Sequence, residues 1–319
     1  MRRKSPHDRR CTYVVTLGVS ADLESLAPYL SSLGVADCDV VVLDASPRPV
    51  FDDHRRVLRW VARHLPAASG NNAALQLAID RSACEKVILA SHDIRYTPSQ
   101  IDQLCDLLEL HEVVEPHEYF APAPWWSRVD AGRALVHRGV DPYADHGATF
   151  AFRRSAIRGL RGIRELDDDP PVRKLIANGA EVHPATDVFV LRIAPALPEW
   201  IAERPRQAMD DFAMPMKTAF FFTLAPMLLL LALLGGLRLA SSYASAIAFA
   251  SIVLAVRGRS GASSRFRLSS CLYAPLWIAE RSCTVYWALA CKLRAPAAAV
   301  AIRSADAPTA DRHTRTSTR

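Results

Sequence analysis

Three apolar runs in the first hundred residues end on side chains that could hold a ligand. TYVVTLGV (12–19) closes around Gly18, DVVVL (39–43) runs into Asp44 and Ser46, and KVILA (86–90) runs into Ser91-His92-Asp93. In open α/β sheets ligands collect at the carboxyl ends of strands. A carboxylate there can bind a hard divalent cation, or it can simply cap a turn. Further along stands Asp167-Asp168-Asp169. Neighbouring carboxylates raise one another's pKa, which suits a general base, but acids at a helix start also suit the helix dipole. Glu203-Arg204-Pro205-Arg206-Gln207 comes just before a long apolar stretch. Guanidinium groups fit phosphate oxygens in pairs, and basic residues also flank membrane segments for topological reasons alone.

The elements that would position these residues follow the pattern of an α/β domain. Strands are expected at 12–19, 39–43 and 86–90, with helices at 21–33, 51–64, 71–83 and 99–110. Further strands are expected near Val113 and over 147–153 (GATFAFR). Apolar runs alternating with helical segments predict a mostly parallel sheet covered on both faces. The stretch 116–126, with its prolines and Trp125-Trp126, reads as an ordered loop over a site. The acidic run at 165–169, followed by two prolines, opens a helix.

The chain then changes character. Residues 218–237 (TAFFFTLAPMLLLLALLGGL) carry no charge, and 239–256 are uncharged as well, with Arg238 between them. Twenty residues of helix span about 30 Å, the thickness of a bilayer core. A soluble helix of that length would show a polar stripe, and neither run has one. Lys217 precedes the pair and Arg257, Arg259, Arg265 and Arg267 follow it. The positive-inside rule therefore expects a membrane hairpin with both ends, and the preceding domain, in the cytoplasm. No apolar segment follows the N-terminal arginines, so no secretory signal is expected. Seven scattered cysteines without a CxxC pair read as buried thiols. Segment 268–293 is apolar and aromatic but carries Glu280 and Arg281 in its middle, which predicts a helix lying on the membrane rather than crossing it.

A formal net charge of +6 in 319 residues is modest, and much of it lies at the two ends. No basic patch interleaved with aromatics indicates nucleic acid. No HExxH, zinc-ligand spacing, P-loop or GxSxG is present.

Taken in order, these features resemble the membrane-bound family-2 glycosyltransferases, especially the ceramide-glucosyltransferase-like branch. The matching elements are a strand ending at Asp44, SHDIRYTP after the next strand, GATFAFRRS, the acidic cluster, ERPRQAMDDFA, and then the spans. The resemblance covers about 12–293. It implies a GT-A nucleotide-sugar domain over 12–215, a membrane hairpin over 216–257, an interfacial helix over 268–293, and disordered ends at 1–11 and 294–319. It also implies inverting transfer of a sugar from a nucleotide donor to a lipid or glycan acceptor at the cytoplasmic membrane face.

By the same resemblance the family's DxD falls on Ser91-His92-Asp93, leaving Asp93 and His92 to hold Mg²⁺ or Mn²⁺. The acid pair falls on Asp167 and Asp168, with Asp168 as the base and Asp167 next. Arg206 takes the arginine position of the (Q/R)xxRW-like element and Gln207 replaces its tryptophan. Gly18, Asp44 and Ser46 would contact the nucleoside, and Asn72 stands where the family has a lysine. Trp125 and Trp126 could stack on sugar or pack as core, and Arg153 and Arg154 could bind a ligand or close a turn. The departures at Ser91, Asn72 and Gln207 leave a second reading open: a relative that keeps the fold and the anchor but binds without turnover.

Overall fold

The structure, a computed structural model, describes residues 9–35, 37–68, 71–141, 147–158 and 171–305. The first half is built on β1 (Cys11–Leu17), β2 (Cys38–Asp44), β3 (Arg63–Pro66) and β4 (Lys86–Ser91). Helices α1 (Leu23–Val35), α2 (Arg48–Val57) and α3 (Asn71–Arg81) connect them. The short strand β5 (Ile94–Arg95), α4 (Pro98–Leu107), β6 (Val113–Phe120) and α5 (Trp125–Val140) follow. Then come β7 (Thr149–Arg153), α6 (Arg154–Arg158), α7 (Pro171–Ala177), β8 (Val182–Arg192) and α8 (Leu197–Asp210).

All eight strands form one mixed sheet in the order β3-β2-β1-β4-β7-β6-β8-β5. The block β3-β2-β1-β4 is parallel, as the βα alternation predicts. Antiparallel β7 joins β4 to β6, and β6 runs parallel to β8. Along β1, Tyr13, Val15 and Leu17 enter one core with Leu26, Leu30, Ile101 and Leu104, while Val14 enters the other with Leu75, Ile79 and Val172. Strands buried on both faces read as continuous apolar runs, which is why TYVVTL shows no alternation.

Two sequence expectations change here. The helix expected over 51–64 stops at Val57, and Arg63–Pro66 becomes an edge strand. Arg63–Pro66 pairs in parallel with Val41–Asp44 of β2, and in that register His64 Nε2 reaches Asp44 Oδ2 at 3.0 Å. The loop expected over 116–126 is mostly regular. Strand β6 continues through Pro116 to Phe120, with a register shift at Pro116/His117, and Trp125 opens α5.

After α8 the chain enters α9 (Pro215–Gly258), which is long and apolar enough to cross a membrane. Its most apolar window has a mean hydropathy of 2.3 and is only 11% buried. Gly236, at φ 71° and ψ 179°, breaks the helix into two arms. Both arms return to one place. Phe221 on the first arm stacks edge-on against Trp277 at 5.5 Å, and Trp277 also lies 5.2 Å from His137. His137 is two residues from Gly139, which packs against Leu254 on the second arm. A straight helix would separate Phe221 from Leu254 by about 50 Å.

A 3₁₀ turn (Leu268–Tyr273) leads into the last helix, α10 (Ala274–Ala305), which continues past 293. Its mid-segment charges face protein: Arg281 is buried, with Nη1 3.4 Å from Asp211 Oδ2. The seven cysteines are free, and five of them are buried.

Candidate active site

The sheet brings the three strand ends together. Leu17 pairs with Asp44 and Thr16 with Ser91, so Gly18, Asp44–Ser46 and Ser91–Asp93 line one edge. Ala45 N–H donates to Leu17 O and His92 N–H to Thr16 O, both at 3.1 Å. The space beside Gly18 is open, with no atom within 4 Å of where a Cβ would sit.

Asp44, expected to touch a nucleoside, is instead enclosed. Its Oδ2 accepts from His54 Nδ1 at 2.9 Å and His64 Nε2 at 3.0 Å, and its Oδ1 accepts from Ser46 N–H at 3.0 Å. Burial pushes this carboxyl up, but the bonds from Ser46, His64 and His54 outweigh it and hold the pKa below the usual range. The side chain is fully covered, so its work is to fix the Ser46 turn rather than to meet a ligand directly.

Asp93 follows β4. Backbone pairing sets β8 against it: Ile94 pairs with Arg192, and Ile193 N–H donates to Asp93 O at 2.8 Å. That register delivers Arg192, whose Nε donates to Asp93 Oδ2 at 2.6 Å and whose Nη1 donates to Glu118 Oε2 at 3.0 Å. Burial pushes Asp93 up, yet Arg192 and His92 hold it below the ordinary aspartate value. For Glu118 burial prevails and its pKa is raised, against the pull of Arg192. The arginine itself is shifted upward because the two carboxylates overcome its own desolvation.

Ala148 N–H also donates to Glu118 Oε1. Gly147 permits this approach, because a Cβ there would lie 2.5 Å from the same oxygen. Neither Arg192 nor Glu118 was legible in advance. The available signal was the apolar run 188–191 ending on an arginine, a strand end of the same kind as those at Asp44 and Asp93.

Helix α8 separates its two arginines. Arg204 is buried, donating to Asp130 at 2.7 and 3.2 Å and stacking 4.2 Å over Trp200, whose Nε1 also donates to Asp130 at 2.7 Å. Arg204 therefore ties α8 to α5. Arg206 is exposed. It lies three residues beyond Glu203, whose charge is felt by Arg192. One turn further, Asp210 O accepts from Arg173 Nη1 at 3.1 Å, which brings the start of α7 against the same helix. Asp167 and Asp168, just before α7, lie outside the described residues.

Asn72 sits in the first turn of α3, and its side chain is likewise outside the described residues. Trp126 is a packing residue, with Nε1 bonded to Pro195 O at 3.1 Å, while Trp125 is exposed. Arg154 closes a turn by bonding Ser82 O at 2.5 Å, and Arg153 is the last residue of β7.

The donor set can be tested against a divalent cation. Among the described residues no group of three His, Cys, Asp or Glu side chains forms a metal cage. Asp93 Oδ1, however, is buried without a hydrogen-bond partner. An unpartnered, ionised oxygen beside a ligand edge fits a Mg²⁺ or Mn²⁺ ion that takes one protein carboxylate and completes its shell from phosphate and water.

No family model matches this chain, and no curated protein does. Among solved structures, a mycobacterial protein matches at 15% identity, covering 63% of this chain and 73% of its own, with a TM-score of 0.40. Glucosyl-3-phosphoglycerate synthase from Mycobacterium tuberculosis, in complex with Mg²⁺ and uridine-diphosphate, matches at 16%, covering 60% and 74%, with a TM-score of 0.38. The same enzyme with Mn²⁺ and uridine-diphosphate-glucose matches at 17%, covering 63% and 77%, with a TM-score of 0.41. Likeness at this level is too slight to assign a function.

Proposed function

We propose that the chain is an inverting glycosyltransferase with a GT-A α/β domain, anchored by the α9 hairpin at the cytoplasmic face of a membrane. It takes a nucleotide-sugar donor and a lipid or glycan acceptor, and no nucleic acid. The observation that carries this reading is Asp93 Oδ1: a buried oxygen without a hydrogen-bond partner just after β4, on the same sheet edge as the open space at Gly18.

In this reading Gly18 and the Ser46 turn receive the nucleoside, Asn72 lies at the phosphates, and Arg206 offers a guanidinium to the diphosphate. Asp93 Oδ1, with His92, would hold Mg²⁺ or Mn²⁺; when bound, such an ion neutralises charge on a leaving diphosphate. Arg192 keeps Asp93 ionised and oriented. Asp168, or Asp167 beside it, takes the proton from the acceptor hydroxyl as that oxygen attacks the anomeric carbon. A membrane anchor suits an acceptor that is itself confined to the membrane.

A donor screen that measures released nucleoside diphosphate, with membranes present, tests the activity. Asp93→Ala and Asp168→Ala should each abolish consumption of the donor. Turnover at the wild-type rate in either variant removes that residue from the mechanism. The Arg192–Asp93 ion pair also favours a second reading, a membrane protein that binds without turnover, because it partly neutralises the one candidate metal carboxylate. Calorimetry separates the two: Mn²⁺-dependent binding of a nucleotide-sugar supports the enzyme, and no binding supports the alternative.

A further inference from the structure

Beside the Asp93–Arg192–Glu118 cluster, on the side toward α5 and the segment after α9, lies a cavity of about 40 Å³, lined by Glu118, Asp130, Arg133, Arg138, Arg192 and Phe266 among others. That is room for about three waters, or one tetrahedral oxyanion. Both of its carboxylates are engaged: Glu118 by Arg192 and Ala148 N–H, Asp130 by Arg204 and Trp200.

Arg138 is different. Its guanidinium stacks 5.4 Å over the Phe189 ring, and its Nη1 is buried with no hydrogen-bond partner. The side chain as a whole is half-buried, so the covered Nη1 is a donor held away from water with no acceptor to meet it. Of the three arginines on its wall, Arg192 is paired with Asp93 and Glu118 and Arg133 lies 3.9 Å from Asp130, whereas Arg138 has no carboxylate against it among the described residues; an anion in the cavity would answer that charge.

The position of the cavity indicates whose anion. Phe266 belongs to the segment that follows the second arm, and Arg138 Nη2 lies 3.5 Å from where a Cβ of Gly261 in that segment would sit. Arg265, one residue before Phe266, stacks 5.1 Å over Tyr119. The nucleoside edge at Gly18 and Ser46 lies along the strand ends of β1 and β2, with Arg192 and Glu118 between it and Arg138.

We propose that this cavity is an acceptor subsite for a phosphate group, with Arg138 as its principal ligand, so that the acceptor is a phosphate ester presented from the membrane side. The proposal rests on the transferase reading for the word acceptor; the anion site itself does not. Arg138 would grip two phosphate oxygens through its planar fork, with Arg133 adding charge. The nearby Arg192–Glu118 pair would then set the distance between the acceptor's phosphate and the donor at Asp93.

The test uses the full chain in detergent, with four probes: inorganic phosphate, hexyl phosphate, hexanol and uridine diphosphate. Thermal melting and calorimetry are read for the wild type, Arg138→Gln and Arg138→Lys. In the wild type, phosphate and hexyl phosphate should raise the Tm and hexanol should not. Arg138→Gln should melt no lower than the wild type without phosphate, since a half-buried charge with no carboxylate partner has been removed. It should bind hexyl phosphate at least about tenfold more weakly, the loss expected for a charge-assisted fork, and Arg138→Lys should fall between the two. Uridine diphosphate binding should be unchanged in both variants.

Equal phosphate stabilisation of wild type and Arg138→Gln overturns the site. Loss of uridine diphosphate binding in step with hexyl phosphate assigns the anion to the donor and overturns the acceptor role. Absence of any uridine diphosphate binding to the wild type counts against the transferase reading, and the phosphate arms still decide the site.

Discussion

Arg192 donates its Nε to Asp93 Oδ2 at 2.6 Å across 99 residues of sequence, and this bond fixes where the β4 turn meets the end of β8. Both side chains are mostly covered, with 19% and 16% exposure. Glu118 completes the arrangement from β6. Replacing Arg192 by Gln would leave two neighbouring carboxylates without their counter-charge, a change that typically costs about 3–5 kcal/mol. Arg192→Gln should therefore lose stability of that order in chemical denaturation, and adding Glu118→Gln should recover part of the loss. A single variant as stable as the wild type would show that the pair does not hold the site.

The α/β domain meets α9 through glycines. A Cβ on Gly139 would lie 2.1 Å from Leu254 O, and one on Gly258 would lie 1.9 Å from Leu135 O. Helix α5 and the second arm thus touch backbone to backbone, which only residues without a side chain permit. Gly139→Ala and Gly258→Ala should each cost about 1–3 kcal/mol through overpacking. They should also speed trypsin cleavage at Arg259, Arg265 and Arg267. The double variant should cost less than the sum, because both glycines serve one contact. Unchanged cleavage in both single variants would mean that the two helices separate without consequence.

The residues that the sequence made legible are those whose role is local. Asp44 and Asp93 stood out because each closes an apolar strand, and the two arms of α9 stood out because each is an uncharged run of helix length. What stayed hidden depends on pairing between distant segments. Arg192 and Glu118 matter only because β8 and β6 meet beside Asp93, and no local pattern encodes that meeting. Arg204 and Arg206 look alike in ERPRQ, yet the two helical positions between them turn the first into the Asp130 pair and the second toward solvent. His64 illustrates a tertiary override: it closes the helix expected over 51–64, yet pairing with β2 puts Arg63–Pro66 in a strand and His64 against Asp44.

The Asp44 cluster predicts a pH dependence. Burial depresses His64 below the ordinary histidine value, against the opposing pull of Asp44. A histidine whose folded pKa is lowered stabilises the fold while neutral, so its contribution is complete above the unfolded pKa of about 6.5 and declines as pH falls below it. Asp44, also lowered, contributes above about 3.9 and loses its contribution only in stronger acid. The Tm should thus drop from pH 7 to pH 5, and His64→Asn should flatten that part of the profile while leaving the drop in stronger acid. A variant profile parallel to the wild type between pH 7 and 5 would assign the dependence to other groups.

The break at Gly236 makes a topological prediction. If each arm crosses the bilayer, the turn lies on the side opposite to the α/β domain, because the chain on either side of the hairpin packs on α5 and α10. Arg238, directly after the turn, would then be the one charge carried across, and the basic residues from 257 to 267 would stay with the domain, as the positive-inside rule requires. In intact cells, a membrane-impermeant maleimide should label Arg238→Cys. It should label Ser263→Cys only after permeabilisation, with the exposed native Cys283 behaving like Ser263→Cys. Labelling of both positions from outside would place the domain on the wrong side for a cytoplasmic donor. Labelling of neither before permeabilisation would mean that the hairpin lies along the membrane surface, in which case its two uncharged runs would be covered by lipid from one side only.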